Sequence, residues 1–399
     1  MTVNQQLHAL LPEFQGELSE ILDFWSTKAV DSDFGGFVGQ INSEGIVIPK
    51  ASKGAVLNTR LLWTFAAAFR NTGEHRYRAM ADRAYEYLLA HFWDKENGGL
   101  FWECDYRGKP VNTRKQAYGQ GFGIYAFSEY YRATGSRESL EYARRLFGLL
   151  EEKFRDAAFE GYIEALSADW QPMKDMRLSP KDANCPKSMN THLHILEPYT
   201  NLYRAWPAGL LKERIRVLIK LFRDRIIDHQ TGHFNLFFEK DWTVRSQTVS
   251  YGHDIEGAWL LHEAALVIRE PGLIQSIRKP ALKLVELTLQ EGMDADGSVW
   301  YEKEGDHIDK ERHWWGQAEA MVGLMDAWEI DKNERYIQHL IRIWEYIKRN
   351  LIDRKNGEWF WSATTNGTPN LDEDKAGFWK CPYHNSRALI ELTNRIAKL

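Results

Sequence analysis

The sequence predicts an all-α fold, an (α/α)6 barrel of twelve helices with short β-hairpins at one rim. Three observations lead there. A glycine-centred hairpin signature recurs six times, two helical patterns separate successive hairpins, and the helix after each hairpin opens with polar residues foreign to an ordinary core.

The signature reads Gly35-Gly36-Phe37-Val38 at its first occurrence, then Gly98-Gly99-Leu100-Phe101, Gly161-Tyr162-Ile163, Gly232-His233-Phe234, Gly297-Ser298-Val299 and Gly357-Glu358-Trp359. Glycine at a bend beside a short apolar run is a hairpin signal. From Gly36 through Gly99, Gly161, Gly232, Gly297 and Gly357 the intervals are 63, 62, 71, 65 and 60 residues, the mark of a repeat architecture.

The first helix is expected over 4–29, with Leu7, Leu10, Leu11, Phe14, Leu18, Ile21, Leu22 and Trp25 on one face; Pro12 and Gly16 weaken its first half. Helical pairs follow at 55–70 and 76–92, 116–133 and 137–154, 190–206 and 209–228, 252–269 and 272–291, and 313–329 and 333–350. A last helix runs over 382–397. Each hairpin leads from an odd helix into an even one, so the even helices are expected inside and the odd ones outside. An open solenoid would share the period but not explain the polar residues that start each even helix. With no Pro/Ser-rich linker, residues 1–399 are expected to form one domain.

A net charge of -5 without a basic stripe argues against nucleic acid. No segment has the roughly 18 consecutive apolar residues of a membrane span, and the N-terminus lacks the layout of a signal peptide. Cys104, Cys185 and Cys381 are far apart and form no CxxC, which suits a reducing compartment. The expectation is a soluble, cytoplasmic chain, a monomer or weak homo-oligomer. Aromatics are 13% of the chain, with sixteen Trp. Trp is a core filler by default, yet beside polar groups in a cleft it is also a platform for a sugar ring.

The first turns of the even helices should share one end of the barrel. They hold Asn58 and Arg60; Tyr118; Asn190, His192 and His194; His253 and Glu256; Trp314, Trp315 and Glu319; and Trp379, Tyr383 and His384. Each alone has a bland reading: Arg60 a salt-bridge former, Tyr118 a packing residue, His384 a cap, one of the two adjacent Trp core. His192 and His194, two apart, point different ways, so one of them faces the axis. Together they are hard to attribute to packing, because buried polar groups are costly unless paired. His253 and Glu256 are three apart and share a face, so the carboxylate is expected to orient the imidazole and raise its pKa. His253, Glu256, His194 and His384 could also chelate, but there is no HExxH and no cysteine cluster, and no metal is expected. No dinucleotide fingerprint, phosphate loop or nucleophile elbow is present, so no cofactor is expected.

Four stretches resemble the N-acylglucosamine 2-epimerase superfamily: Met189-Asn190-Thr191-His192-Leu193-His194-Ile195-Leu196-Glu197, Ser250-Tyr251-Gly252-His253-Asp254-Ile255-Glu256, His313-Trp314-Trp315-Gly316-Gln317-Ala318-Glu319 and Phe378-Trp379-Lys380-Cys381-Pro382-Tyr383-His384-Asn385. The resemblance runs over essentially the whole chain, and Asn-Thr-His-Leu-His favours its disaccharide branch. It implies an (α/α)6 barrel that reversibly inverts C2 of the reducing-end glucose of β-1,4-linked disaccharides, without nucleotide or metal. It also implies that His253 and His384 are the acid/base pair, that His194 steadies an enediolate, that Arg60 holds sugar oxygens and that Glu256 is the partner of the base. Tyr118, Asn190, Trp315 and Trp379 match binding positions; Trp314, Glu319 and Asn58 join them as binding candidates from the same first turns. The rivals are an aldose–ketose isomerase or an N-acylglucosamine/mannose 2-epimerase on the same barrel, a glycoside hydrolase, which needs two opposed carboxylates, and a sugar-binding protein without turnover.

Overall fold

The structure, a computed structural model, describes residues 2–399. Among them are twelve helices: α1 (Val3–Thr27), α2 (Ala55–Thr72), α3 (His75–Tyr87), α4 (Ala117–Thr134), α5 (Arg137–Leu149), α6 (Met189–Ala205), α7 (Gly209–Leu221), α8 (Tyr251–Ile268), α9 (Pro271–Glu291), α10 (Trp314–Asp331), α11 (Arg335–Asn350) and α12 (Tyr383–Ile396). α3, α5 and α7 each run on into one wider turn, in which Trp93, Arg155 and Ile227 donate to carbonyls five residues back.

The even helices pack in chain order, and α12 returns onto α2, so the ring is closed and the open solenoid is excluded. Composition dictates which helices go inside. Every residue of α2 from Ala55 to Ala68 is buried, as is every residue of α4 from Ala117 to Tyr130. α11 instead buries one stripe, Tyr336, Ile337, Leu340, Ile343, Trp344 and Ile347, as an outer helix should. α1 stays continuous through Pro12 and Gly16, against the expected weakening. Pro inside a helix costs about 3 kcal/mol, whereas fully burying a Leu, Ile or Phe contributes about 1.5–3 kcal/mol each. Leu7, Phe14 and Ile21 are all fully buried, with Phe14 edge-on to Trp344 at 5.1 Å.

All six repeat glycines lie at positive φ, between 60° and 94°, where a side chain would be strained. Each turn is closed by a single bridge, such as Trp93 to Leu100 and Met293 to Val299, so the hairpins are shorter than expected. The longer ladders run between repeats: Lys53 pairs with Cys104, Lys115 with Leu166, Lys187 with Phe238, Ser250 with Glu302 and Arg312 with Ala363. Ile41 with Ala376 joins the last repeat to the first. This belt carries buried cations that the sequence reading did not single out. Lys53, Lys115, Lys187 and Lys375 bind Asp31, Asp94, Asp156 and Asp353 at 2.5–2.9 Å, and each also donates to a carbonyl at the neighbouring turn. No described helix is long and apolar enough to cross a membrane.

Candidate active site

The belt places the first turns of the even helices at one end of the barrel, and position within the helix decides what each side chain does. The fourth residue is a clamp on the neighbouring turn. Gln120 accepts from Leu100 N and donates to Leu100 O, and Gln317 does the same with Val299. His192 Nε2 accepts from Tyr162 N at 2.9 Å, and Asp254 accepts from Phe234 N at 2.9 Å. Because Nε2 of His192 is an acceptor, Nδ1 carries the proton and donates to Ser188 O at 2.6 Å. His192 is therefore structural, and His194 is the one of the pair that faces the axis. Asn58 occupies this same fourth position in α2; it donates to Gly54 O, and its Oδ1 has no partner among the described residues.

The sixth residue points to the axis: Arg60, Phe122, His194, Glu256 and Glu319. α12 joins the pattern with its count begun at Pro382, the residue before its first turn. Then Asn385 is the clamp, donating to Glu358 Oε1 at 2.7 Å, and Arg387 is the sixth residue. His253 and His384 then hold the same, third, position on α8 and α12.

These residues form one polar floor. Arg387 donates to Glu197, to Glu256 Oε1 at 2.7 Å and to Glu319 Oε1 at 2.6 Å. Glu197 also bonds His194 Nδ1 at 3.1 Å and accepts from Tyr383 Oη at 2.5 Å. Glu319 bonds His384 Nδ1 at 2.7 Å and accepts from Trp259 Nε1 at 3.1 Å. Arg60 donates to Tyr118 Oη at 2.7 Å and lies over the rings of Phe122 and Tyr383. Above the floor Trp315 lies between His253, 4.6 Å away centroid to centroid, and His384, 5.8 Å away. Trp379 stands 5.8 Å from Tyr118 and 5.9 Å from Trp102. Asn190 is half-buried, its Oδ1 without a partner among the described residues. Trp314 is the core member of its pair, packed on Trp361 under the Lys380 ammonium.

Two expectations are corrected. Glu256 is not the partner of His253, whose Nδ1 bonds Ser250 Oγ at 2.8 Å; Glu256 turns inward to Arg387, and the imidazole it approaches is His384, at 3.9 Å. Residues three apart share a face, but His253 leans along the rim and Glu256 lies one turn deeper. The pKa of His253 is accordingly not raised: burial with no carboxylate alongside pushes it down to about 4. The sequence reading gave no role to Arg387, Glu197, Trp259 or Ser250, although Glu197 and Ser250 lie within the stretches that carry the resemblance. Only the position-six pattern could have revealed Arg387.

Burial dominates the electrostatics. It drives His194 and His384 well below the usual imidazole range, helped by Arg60. It raises both Glu256, against the pull of Arg60, and Glu319, which Glu256 also faces. Glu256, Glu319 and His384 have donor atoms within 4.8 Å of one another, which invites a metal reading. The chemistry disfavours it: Arg387 already donates to both carboxylates, and a guanidinium there repels a cation.

Residues 35–388 match the model of the N-acylglucosamine 2-epimerase family. The chain is 50% identical to a cellobiose 2-epimerase of Bacteroides fragilis, over 96% of this chain and 98% of that one. It is 38% identical to a cellobiose 2-epimerase of Dictyoglomus turgidum, over 95% and 96%. The solved structure of a cellobiose 2-epimerase from Bacillus thermoamylovorans superposes with a TM-score of 0.93 at 38% identity, covering 97% of this chain and all of that one.

Proposed function

The chain belongs to the N-acylglucosamine 2-epimerase family, and from that premise we propose that this carbohydrate epimerase inverts C2 of the reducing-end glucose of β-1,4-linked disaccharides, taking cellobiose to glucosyl-mannose and lactose to epilactose. The relatives' shared activity supports the substrate class. The observation that carries the chemistry is the gathering of His194, His253 and His384 with Arg60 over one buried floor.

Inversion beside a carbonyl first needs the sugar ring opened, by moving a proton between O1 and O5. A base then takes the C2 proton and leaves a cis-enediolate, and an acid returns a proton to the opposite face. His253 and His384, equivalent positions on α8 and α12, are assigned to these transfers, each typically worth about 10²–10⁴-fold. Burial keeps both neutral near pH 7, the form a base needs. Arg60, a cation without a carboxylate partner in contact, and His194 are assigned to the charge on O1 and O2, where a preorganised donor is worth about 10²–10³-fold. Tyr118, Asn190, Trp315 and Trp379 are assigned to binding. Glu256 and Glu319 act from beneath the imidazole, Trp314 supports Trp315, and Asn58 anchors the start of α2. The chain folds as one domain, and no nucleotide or metal takes part.

The test is cellobiose in D₂O. Glucosyl-mannose bearing deuterium at C2, formed equally with chelator present, is expected, and His253→Ala or His384→Ala should abolish the exchange with the circular dichroism unchanged. Free glucose would mean hydrolysis, and binding without exchange would mean a sugar-binding protein.

A further inference from the structure

Beneath His384 the charges do not match one to one. Glu197, Glu256 and Glu319 all converge on the single guanidinium of Arg387. Glu197 is relieved by Tyr383 and His194, and Glu319 by Trp259. Glu256 has a hydrogen bond from Arg387 alone among the described residues: its Oε2 is fully buried and has no partner there, and His384 stays 3.9 Å away from its Oε1. Two carboxylates that meet on one N–H group cannot both stay ionised at low cost, and such a pair titrates as a unit. The charged and titratable groups around them are Arg60 on α2, Tyr118 and Tyr125 on α4, His194 and Glu197 on α6, His253 on α8, Tyr383, His384, Arg387 and Glu391 on α12, and Lys380 and Cys381 just before it. Lys380 is paired with Glu358 at 3.0 Å, which leaves Arg60 and Arg387, too few to hold three carboxylates charged at once.

Resting on the epimerase reading, we propose that Glu256 and Glu319 hold one proton between them on Arg387 and exchange a second with Nδ1 of His384. When His384 acts as base, the C2–H bond breaks and its electron pair stays with the enediolate. An Nε2–H bond forms, the Nδ1–H bond breaks, and that proton forms an O–H bond on Glu319. The floor goes from one negative charge to none as the sugar gains one, and the imidazole never carries a net charge. Donation runs the same bonds backwards. Glu256, Glu319 and Arg387 are thus positioning residues: they make one histidine serve as base in one direction and acid in the other.

The wild-type rate is expected to fall on an alkaline limb, where the stored proton leaves the raised pair. Glu256→Gln keeps an oxygen for Arg387 but cannot lose a proton. It should lower kcat at pH 7 by up to about 100-fold, the low end of what one proton transfer contributes, and move the alkaline limb up by at least one pH unit. Glu256→Asp should restore the limb. A uniform loss at every pH, with the limb in place, would overturn the proposal. Infrared spectroscopy of the substrate-free protein reads the same proton without turnover: a protonated-carboxyl band at pH 7, bleached at alkaline pH and diminished in Glu256→Gln, is expected. A band unchanged by that substitution would refute the shared proton. If wild type instead fails to exchange C2 while the band behaves as described, the epimerase reading falls and the proton-holding pair stands.

Discussion

Gly252 offers a stringent test because it touches no reacting group. A Cβ there would lie 2.6 Å and 2.7 Å from two carbons of the Trp315 ring, and 3.3 Å from Gly316 Cα. Carbon atoms rest about 3.5–4.0 Å apart, so in Gly252→Ala the indole must retreat by roughly 1 Å. The indole packs at a tilt against both His253 and His384, so the retreat disturbs both imidazoles. Misplacement by about 1 Å can cost about 10²-fold in rate, and overpacking about 1–3 kcal/mol of stability. The assay is deuterium uptake at C2 of cellobiose by proton NMR, alongside urea unfolding. Trp315→Phe removes the carbons that clash, so the two substitutions should be strongly non-additive, the double variant resembling Trp315→Phe alone. Activity of Gly252→Ala within twofold of wild type would refute the packing argument, and additive losses would show that Trp315 does not transmit the effect.

Two further expectations separate structure from chemistry. His192→Gln substitutes the clamp residue already used at Gln120 and Gln317, and should keep the fold and most activity, whereas His194→Gln should lose most of it. Burial sets the His192 pKa at about 4 in the folded chain, below the unfolded value near 6.5, so its stability is present above pH 6.5 and lost as pH falls through 4. Relative to wild type, His192→Gln should therefore flatten the pH dependence of the unfolding free energy from urea titration between 6.5 and 4 by at most about 1.4 kcal/mol per pH unit. Lys115→Met strands Asp94, whose carboxyl is held below its usual range by Lys115 and two backbone N–H groups despite burial, and should cost about 3–5 kcal/mol in urea unfolding. Val249 stands where the other repeats carry the cation, so Val249→Ala should cost far less.

Legibility followed physical scale. The barrel was legible because its unit repeats: each glycine bend needs a positive φ, and inner helices such as α2 and α4 are buried on all sides, so period and composition point the same way. Helix boundaries fell within a few residues of those expected. The belt cations were not legible, because Lys53 and Asp31 lie 22 residues apart and nothing local marks a lysine as buried. The error over Glu256 has the same origin. Periodicity says which residues share a helix face; it does not say that a guanidinium from the far end of the chain competes for the carboxylate, and a buried carboxylate goes to the strongest donor in reach.

The position-six ring carries this point furthest. Read around the barrel it runs Arg60, Phe122, His194, Glu256, Glu319, Arg387, with the acids adjacent and the arginines flanking the closure between α12 and α2. A stability-driven core would hold six apolar side chains here, since removing a buried ion pair in favour of packed hydrophobics is often neutral or stabilising. Arg387 is engaged by Glu197, Glu256 and Glu319, whereas Arg60 meets no carboxylate among the described residues and donates to Tyr118. On the proposed epimerisation, a cation held in place in this way costs no reorganisation when charge develops on a sugar oxygen. His253 and His384 occupy equivalent positions on two helices of that ring, yet one leans on a serine hydroxyl and the other on a carboxylate, so on the proposed mechanism they are unequal bases. The inequality follows from what stands at the ends of the two hydrogen bonds, which no spacing within α8 or α12 encodes.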